Sequence, residues 1–353
     1  ASSRAFCAER YVAMVIALWL TGWTVLWLIL HPVAPLLLVA VLRCCGQGTA
    51  SFWRMYSLLP WQKRAYFRRC VRAQVYYIFA ATMGLWLLYC RGQYPWLAFF
   101  KLVDERHEGE VAQALLHSWG GIPMDATFAA GATHWIVAIL EDAIGWRYLA
   151  QVSHSEGVDQ KGAASLGLLL LCGYFVHHMV AATAFLYSLF SHRLSSCCCI
   201  GLLFEAPVIF TNLREIAVSF EQEWRHHFGG TLFALSGKAR VKLLWFLCVS
   251  FVVFGRYNSV IIFVWSLAAW LDVLHGLEPS IVWPYYIFGV FFTLVNFWWT
   301  ILLVMWCFVD LHTPTATERE SDANASAPID DTNVIVSPSS GEIIAVAWSG
   351  TKP

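Results

Sequence analysis

Long apolar runs, separated by short segments that carry most of the charge, set the pattern of this chain. An α-helix needs roughly 20 predominantly apolar residues to cross the hydrocarbon core of a bilayer. At that length the pattern predicts about seven spans, over 11–31, 73–90, 132–150, 163–190, 198–214, 243–271 and 282–308. From Thr313 onward the chain turns to Ser, Thr, Asp, Asn and Pro with too few apolar residues to build a core, the composition of a disordered segment. The expected architecture is therefore all-α: a polytopic transmembrane helical bundle followed by a disordered C-terminal tail. It divides into an N-terminal transmembrane anchor over 1–45, a main membrane domain over 46–310 and a cytosolic tail over 311–353. The first run follows Arg4 and Arg10, but its apolar core is too long for a signal peptide and no small-residue cleavage site follows, so an uncleaved anchor is expected.

Composition agrees with this reading, since 59% of residues are hydrophobic and 13% are charged. A formal net charge of zero leaves no basic excess for a nucleic-acid partner. The 11 cysteines lie mostly in apolar runs without regular spacing, which does not describe a disulfide framework. Charge distribution adds an orientation, because Lys and Arg near span ends stay on the cytosolic side. Arg43, Arg54, Lys63, Arg64, Arg68, Arg69 and Arg72 share one segment with no acid, and the segment from Arg214 to Lys242 is again net basic. Both are expected in the cytosol, with the loop 91–131 on the opposite side. The sequon Asn324-Ala325-Ser326 tests this, since glycan on Asn324 would place the tail in the lumen. Cys44, Cys45 and Cys70 are juxtamembrane candidates for palmitoylation.

The chemistry to explain is polar side chains inside apolar runs. His177 and His178 are adjacent in the fourth run, and an intramembrane ionisable group is a functional-site candidate by default. At 100° per residue, Gly173, His177, Ala181, Ala184 and Ser188 line one stripe, which makes His177 the inward histidine and leaves His178 about 100° away. In the third run Glu141 aligns with His134, Gly145 and Tyr148, whereas Asp142 aligns with Trp135 and Ala138; geometry favours Glu141 as the inward acid. Glu205 and Asn212 share a face of the fifth run, with Arg214 opposite. Arg256 lies mid-span in the sixth, near Asn258 and Ser259, and Asn296 and Thr300 mark the seventh beside Trp298 and Trp299. Unpaired charges in hydrocarbon cost several kcal/mol each, so these residues are expected to meet in a shared polar centre. Small residues beside the histidines equally suit plain helix packing, and an ion pair of Arg256 with Glu205 or Glu141 would suit a structural network. Trp19, Trp23 and Trp27 form a stripe read as packing or lipid-facing.

Adjacent histidines point apart on a helix and do not fit the i, i+4 spacing of helical metal ligands, and no metal or cofactor is expected. No phosphate-cradling glycine loop or Ser-His-Asp set is present, and no span resembles the broken, repeated helices of secondary transporters.

The order of elements resembles the TLC-domain family, which groups ceramide synthases with translocation-associated and lipid-regulating membrane proteins. The resemblance rests on Gly173-Tyr174-Phe175-Val176-His177-His178, on Leu203-Phe204-Glu205-Ala206-Pro207 through Asn212-Leu213-Arg214, on Arg256 and on Asn296 to Trp299, and spans about 53–309. It implies a helical bundle in an internal membrane such as the endoplasmic reticulum, although the last residues carry no KDEL-type signal. It also implies a cavity for a membrane lipid, with His177, His178, Glu205 and Asp142 or Glu141 as the chemical group. Asp142 matches the family's acid position better than Glu141, so resemblance and helical geometry disagree there. Tyr174, Ser188, Asn212, Arg214, Arg256, Asn296 and Trp298 are the expected lipid contacts.

In ceramide synthases the paired histidines are thought to serve acyl transfer from acyl-CoA to a sphingoid base, with histidine as general base. Here the His-Asp pair that follows in that subfamily is replaced at Phe204 and Glu205, the second Asp by Val208, and Thr183 falls about two residues late. These departures favour the members that bind or handle membrane lipid and influence lipid composition. Acyl-CoA-dependent N-acyl transfer is the alternative, and a trafficking or scaffold role the third.

Overall fold

A computed structural model describes residues 2–44, 49–59, 61–89, 121–153, 160–219, 237–257, 260, 261, 263, 264, 267 and 278–312. The described residues are helical: α1 (Ser2–Cys44), α2 (Thr49–Leu58), α3 (Trp61–Tyr89), α4 (Ile122–Ser153), α5 (Gln160–Ser191), α6 (Ser195–Leu203), α7 (Ala206–Ser219), α8 (Gly237–Phe251) and α9 (Pro279–His312). A π-helical turn, Val252–Tyr257, continues α8. Four stretches are long and apolar enough to cross a membrane: Val12–Cys44, Lys63–Leu88, Ser195–Arg214 and Pro279–Met305. They coincide with the first, second, fifth and seventh predicted runs. α4 and α5 are helices over the third and fourth, and α8 begins the sixth. The tail from Thr313, with Asn324, lies outside the described residues, as does Cys45.

Two helices differ from expectation in ways that matter for the site. α1 runs past the predicted end at residue 31 and continues through Pro32 and Pro35. Proline removes a backbone hydrogen bond, but neighbouring helices re-satisfy such groups in a membrane bundle. The fifth run, expected as one continuous helix, breaks between α6 and α7 at Phe204 and Glu205. Pro207 explains the break: it has no N–H to donate to Leu203, and its ring would collide with that carbonyl. No span was expected to be broken, yet this one is.

The main core joins α1, α3, α4, α5 and α6 through Trp27, Tyr76, Leu87, Phe128, Trp135, Phe185 and Leu202. The tryptophan stripe of α1 is a packing stripe: Trp23 stacks on Trp27 at 5.5 Å, and Trp27 Nε1 donates to the Ala130 carbonyl at 3.2 Å. The expected N-terminal anchor is thus part of the bundle's core. Glycine permits close approach where α9 meets α5, because a Cβ on Gly173 would lie 2.5 Å from the Trp298 ring. A smaller core at one end holds α2 between α1 and α3, through Phe52, Met55, Tyr56, Ala34, Leu42 and Phe67.

Candidate functional site

The polar residues of the spans separate into two groups. The first forms around Glu141. Arg72 Nη2 donates to Glu141 Oε2 at 2.6 Å, Arg69 Nε lies 3.7 Å from the same oxygen, and His31 Nδ1 lies 3.6 Å from Oε1. Arg72 is 1% exposed. Glu141 therefore faces inward, as its helical position predicts, but toward basic residues of α3 and His31 of α1. The side chain of Asp142 lies outside the described residues.

The second group surrounds a cavity between α3, α4, α5, the α6–α7 break, the π-turn and α9. A polar chamber of about 670 Å³, its open mouth included, is lined by Tyr77, Trp135, Tyr174, His177, His178, Phe204, Glu205, Thr211, Arg256, Asn296 and Trp299, among others. His178, Glu205, Arg256 and Asn296 are buried. Local structure positions each one. Trp135 of α4 stacks on the His178 ring at 4.7 Å and meets the His177 ring edge-on at 5.7 Å, so one indole sets both imidazoles. Glu205 sits in the break itself, where its own carbonyl accepts from Ile209 N–H at 3.2 Å to start α7. Arg256 stands in the π-turn and its Nε reaches the Phe204 carbonyl at 3.4 Å, a carbonyl freed by the same break. π-Turns inside α-helices frequently mark functional sites, and here the turn carries the cation of the chamber.

A second chamber adjoins the first. It is lined by Ala181, Ala184, Phe185, Leu194, Ile200, Gly201, Phe263, Phe288, Gly289 and Phe292, with about 920 Å³ of space including its mouth. Trp135, His177, Phe204 and Glu205 belong to both chambers. Leu194 adopts a left-handed backbone, φ 56°, in the tight turn between α5 and α6, and is buried against this chamber.

Several expected site residues stand elsewhere. His177 is only half-buried and His178 is the more buried, and both line the polar chamber; the 100° between them is spanned because the chamber is wide and Trp135 contacts both rings. Ser188 bonds with Ser195 at 3.3 Å and closes the α5–α6 corner. Asn212 Nδ2 donates to the Cys70 carbonyl at 2.9 Å and to Gln74 Oε1 at 2.7 Å, clasping α7 to α3. Arg214 lines neither chamber. Trp298 is taken up by the Gly173 contact, and its neighbour Trp299 faces the chamber and meets Tyr174 at 4.7 Å. Asn258 and Ser259 lie outside the described residues. Thr183 is exposed and bonds back to the Met179 carbonyl. Cys70 is buried, out of reach of an acyl donor, whereas Cys44 is exposed. Among the described residues, no three His, Cys, Asp or Glu side chains come together as a metal's donor set.

Sequence reasoning missed Trp135, Tyr77, Trp299 and Phe292 as lining residues, and the group of His31 with Glu141. Aromatic residues at helical spacing give no signal that separates lining from core. Comparison with protein-family models, curated proteins and solved structures gives no match.

Proposed function

We propose that this chain is an integral membrane protein of about seven spans that takes a membrane lipid into the two-chambered cavity, as its resemblance to the TLC-domain family implies. One observation carries the reading: a polar chamber holding His177, His178, Glu205, Arg256 and Asn296 adjoins an apolar one, with Trp135, His177, Phe204 and Glu205 in the walls of both. A single amphipathic molecule fits such a pair, its head hydrogen-bonded among the polar groups and its chain among Ala181, Ala184, Ile200 and Phe292. Mostly apolar walls with a few convergent polar groups are the usual composition of a ligand site. The compartment proposed with this reading is an internal membrane such as the endoplasmic reticulum, and the biological role is an influence on membrane lipid composition.

Lipid extraction and mass spectrometry of the purified chain test it. The parent should carry a defined lipid through purification, and Ala184→Phe, which fills the apolar chamber, should lose it while remaining folded. Equal lipid content in both proteins would contradict the reading.

A second reading, acyl transfer from acyl-CoA to the amine of a sphingoid base, is favoured by His177. Its Nδ1 is buried and without a hydrogen-bond partner, and its ring borders both chambers. A neutral imidazole so placed can accept the amine proton as the new amide bond forms and the CoA thiolate leaves. Ceramide formation in membranes supplied with both substrates, lost in His177→Ala with His178→Ala, would support this reading; no product from the intact parent would exclude it.

A further inference from the structure

A separate surface lies at the end of the bundle where α1, α2 and α3 meet. Between Glu9 and Asp104 the sequence has no acid, and the end of α1 through the first half of α3 carries Arg43, Arg54, Lys63, Arg64, Arg68, Arg69 and Arg72. The loop from Arg214 to Lys242, expected on the same side, has more Lys and Arg than acid. Glu141 is shared by Arg72 and Arg69, and Arg68 is held by the Tyr56 hydroxyl at 2.6 Å. Arg43 and Arg54 are exposed and Arg64 is half-buried.

α2 turns one face to the smaller core. Phe52, Met55, Tyr56 and the following Leu59 are buried against α1 and α3. The opposite face presents Trp53, Leu58 and, at the start of α3, Trp61, which are 39%, 71% and 64% exposed. Exposed tryptophan and leucine beside arginine, on a short helix leading into a membrane span, is the composition of an element lying in the headgroup region. The charge selects among lipids: juxtamembrane cations attract anionic headgroups, and arginine matches phosphate geometry with two parallel hydrogen bonds.

We propose that α2 and the start of α3 form a docking surface for the headgroup of an anionic phospholipid in the leaflet on this side of the bundle. Arg43, Arg54 and Arg64 meet the phosphate and the acidic headgroup, and Trp53, Leu58 and Trp61 enter the boundary with the acyl chains. The surface is distinct from the cavity and does not depend on what the cavity binds.

Native mass spectrometry of the full chain, offered phosphatidylserine and phosphatidylcholine at equal concentration, reads this directly. Phosphatidylserine should be retained in preference, and removing cations in Arg43→Gln, Arg54→Gln and Arg64→Gln should lower its retention about fivefold per cation. Raising the salt concentration should weaken the preference in the parent, a readout that needs no variant. His177→Ala, inside the cavity, should leave the preference intact. Equal retention of the two lipids, an undiminished preference in the triple variant, or loss of the preference in His177→Ala would overturn the proposal. So would a dimer that forms without lipid and disappears in the triple variant, which would give the face to a second copy of the chain.

Discussion

Two polar groups sit in the same bundle and solve the problem of polarity in an apolar setting in opposite ways. Around Glu141 the charges are drawn together: Arg72 at 2.6 Å, with His31 and Arg69 within 4 Å, join α1, α3 and α4. Around His177 and His178 the polar side chains line the walls of a cavity, where Trp135 stacks on His178 and Arg256 Nε reaches the Phe204 carbonyl. The first arrangement pairs its carboxylate with cations at short range. The second keeps imidazole, carboxyl, guanidinium and amide around open space. Polarity inside a membrane helix therefore identifies no site; space beside it does.

The largest effect that can break this comparison is in the closed group. Arg72→Met leaves the part-buried Glu141 beside less positive charge, and removing one partner of a fully buried pair costs about 3–5 kcal/mol, which sets the upper bound here. Thermal unfolding in detergent should show a large loss, much of it recovered in Arg72→Met with Glu141→Met. If the double variant is no more stable than the single, the ion pair is not what holds these helices. Gly173→Ala comes next, because its new Cβ must displace the Trp298 ring, and overpacking of this kind costs about 1–3 kcal/mol. Trp298→Leu should relieve the clash in the double variant. Asn296→Leu, in the open group, should change stability by less than about 1 kcal/mol, since Asn296 Nδ2 is buried without a hydrogen-bond partner and gives up no bond. Its lipid content should fall all the same. The smallest effect belongs to Thr183→Val, an exposed position away from both groups, within about 0.5 kcal/mol and with unchanged lipid content.

Much of the helical architecture was legible in the sequence, because run length alone reports a helix that can cross a bilayer. The break in the fifth run was legible too, in Pro207 two residues after Glu205, but composition averaged over 20 residues hides it. Angular arithmetic turns Glu141 and His177 inward, where the structure has Glu141 against Arg72 and His177 on the wall of both chambers, but it leaves His178 out, since it assumes that only a narrow stripe can face the interior. A cavity widens that stripe to include His178. The arithmetic also gives direction without distance, so it could not tell that Glu141 meets Arg72 and His31, or that Ser188 and Asn212 are spent on helix contacts. The π-turn that presents Arg256 changes helical phase locally, and a fixed 100° step cannot foresee it.

The most direct test is an experimental structure of the chain in a lipid nanodisc. Elongated density should enter the apolar chamber between α5 and α9 and end in a headgroup within hydrogen-bond reach of His177, Glu205, Arg256 or Asn296. A collapsed chamber in which these four side chains pair with one another, as Glu141 and Arg72 do, would contradict the account.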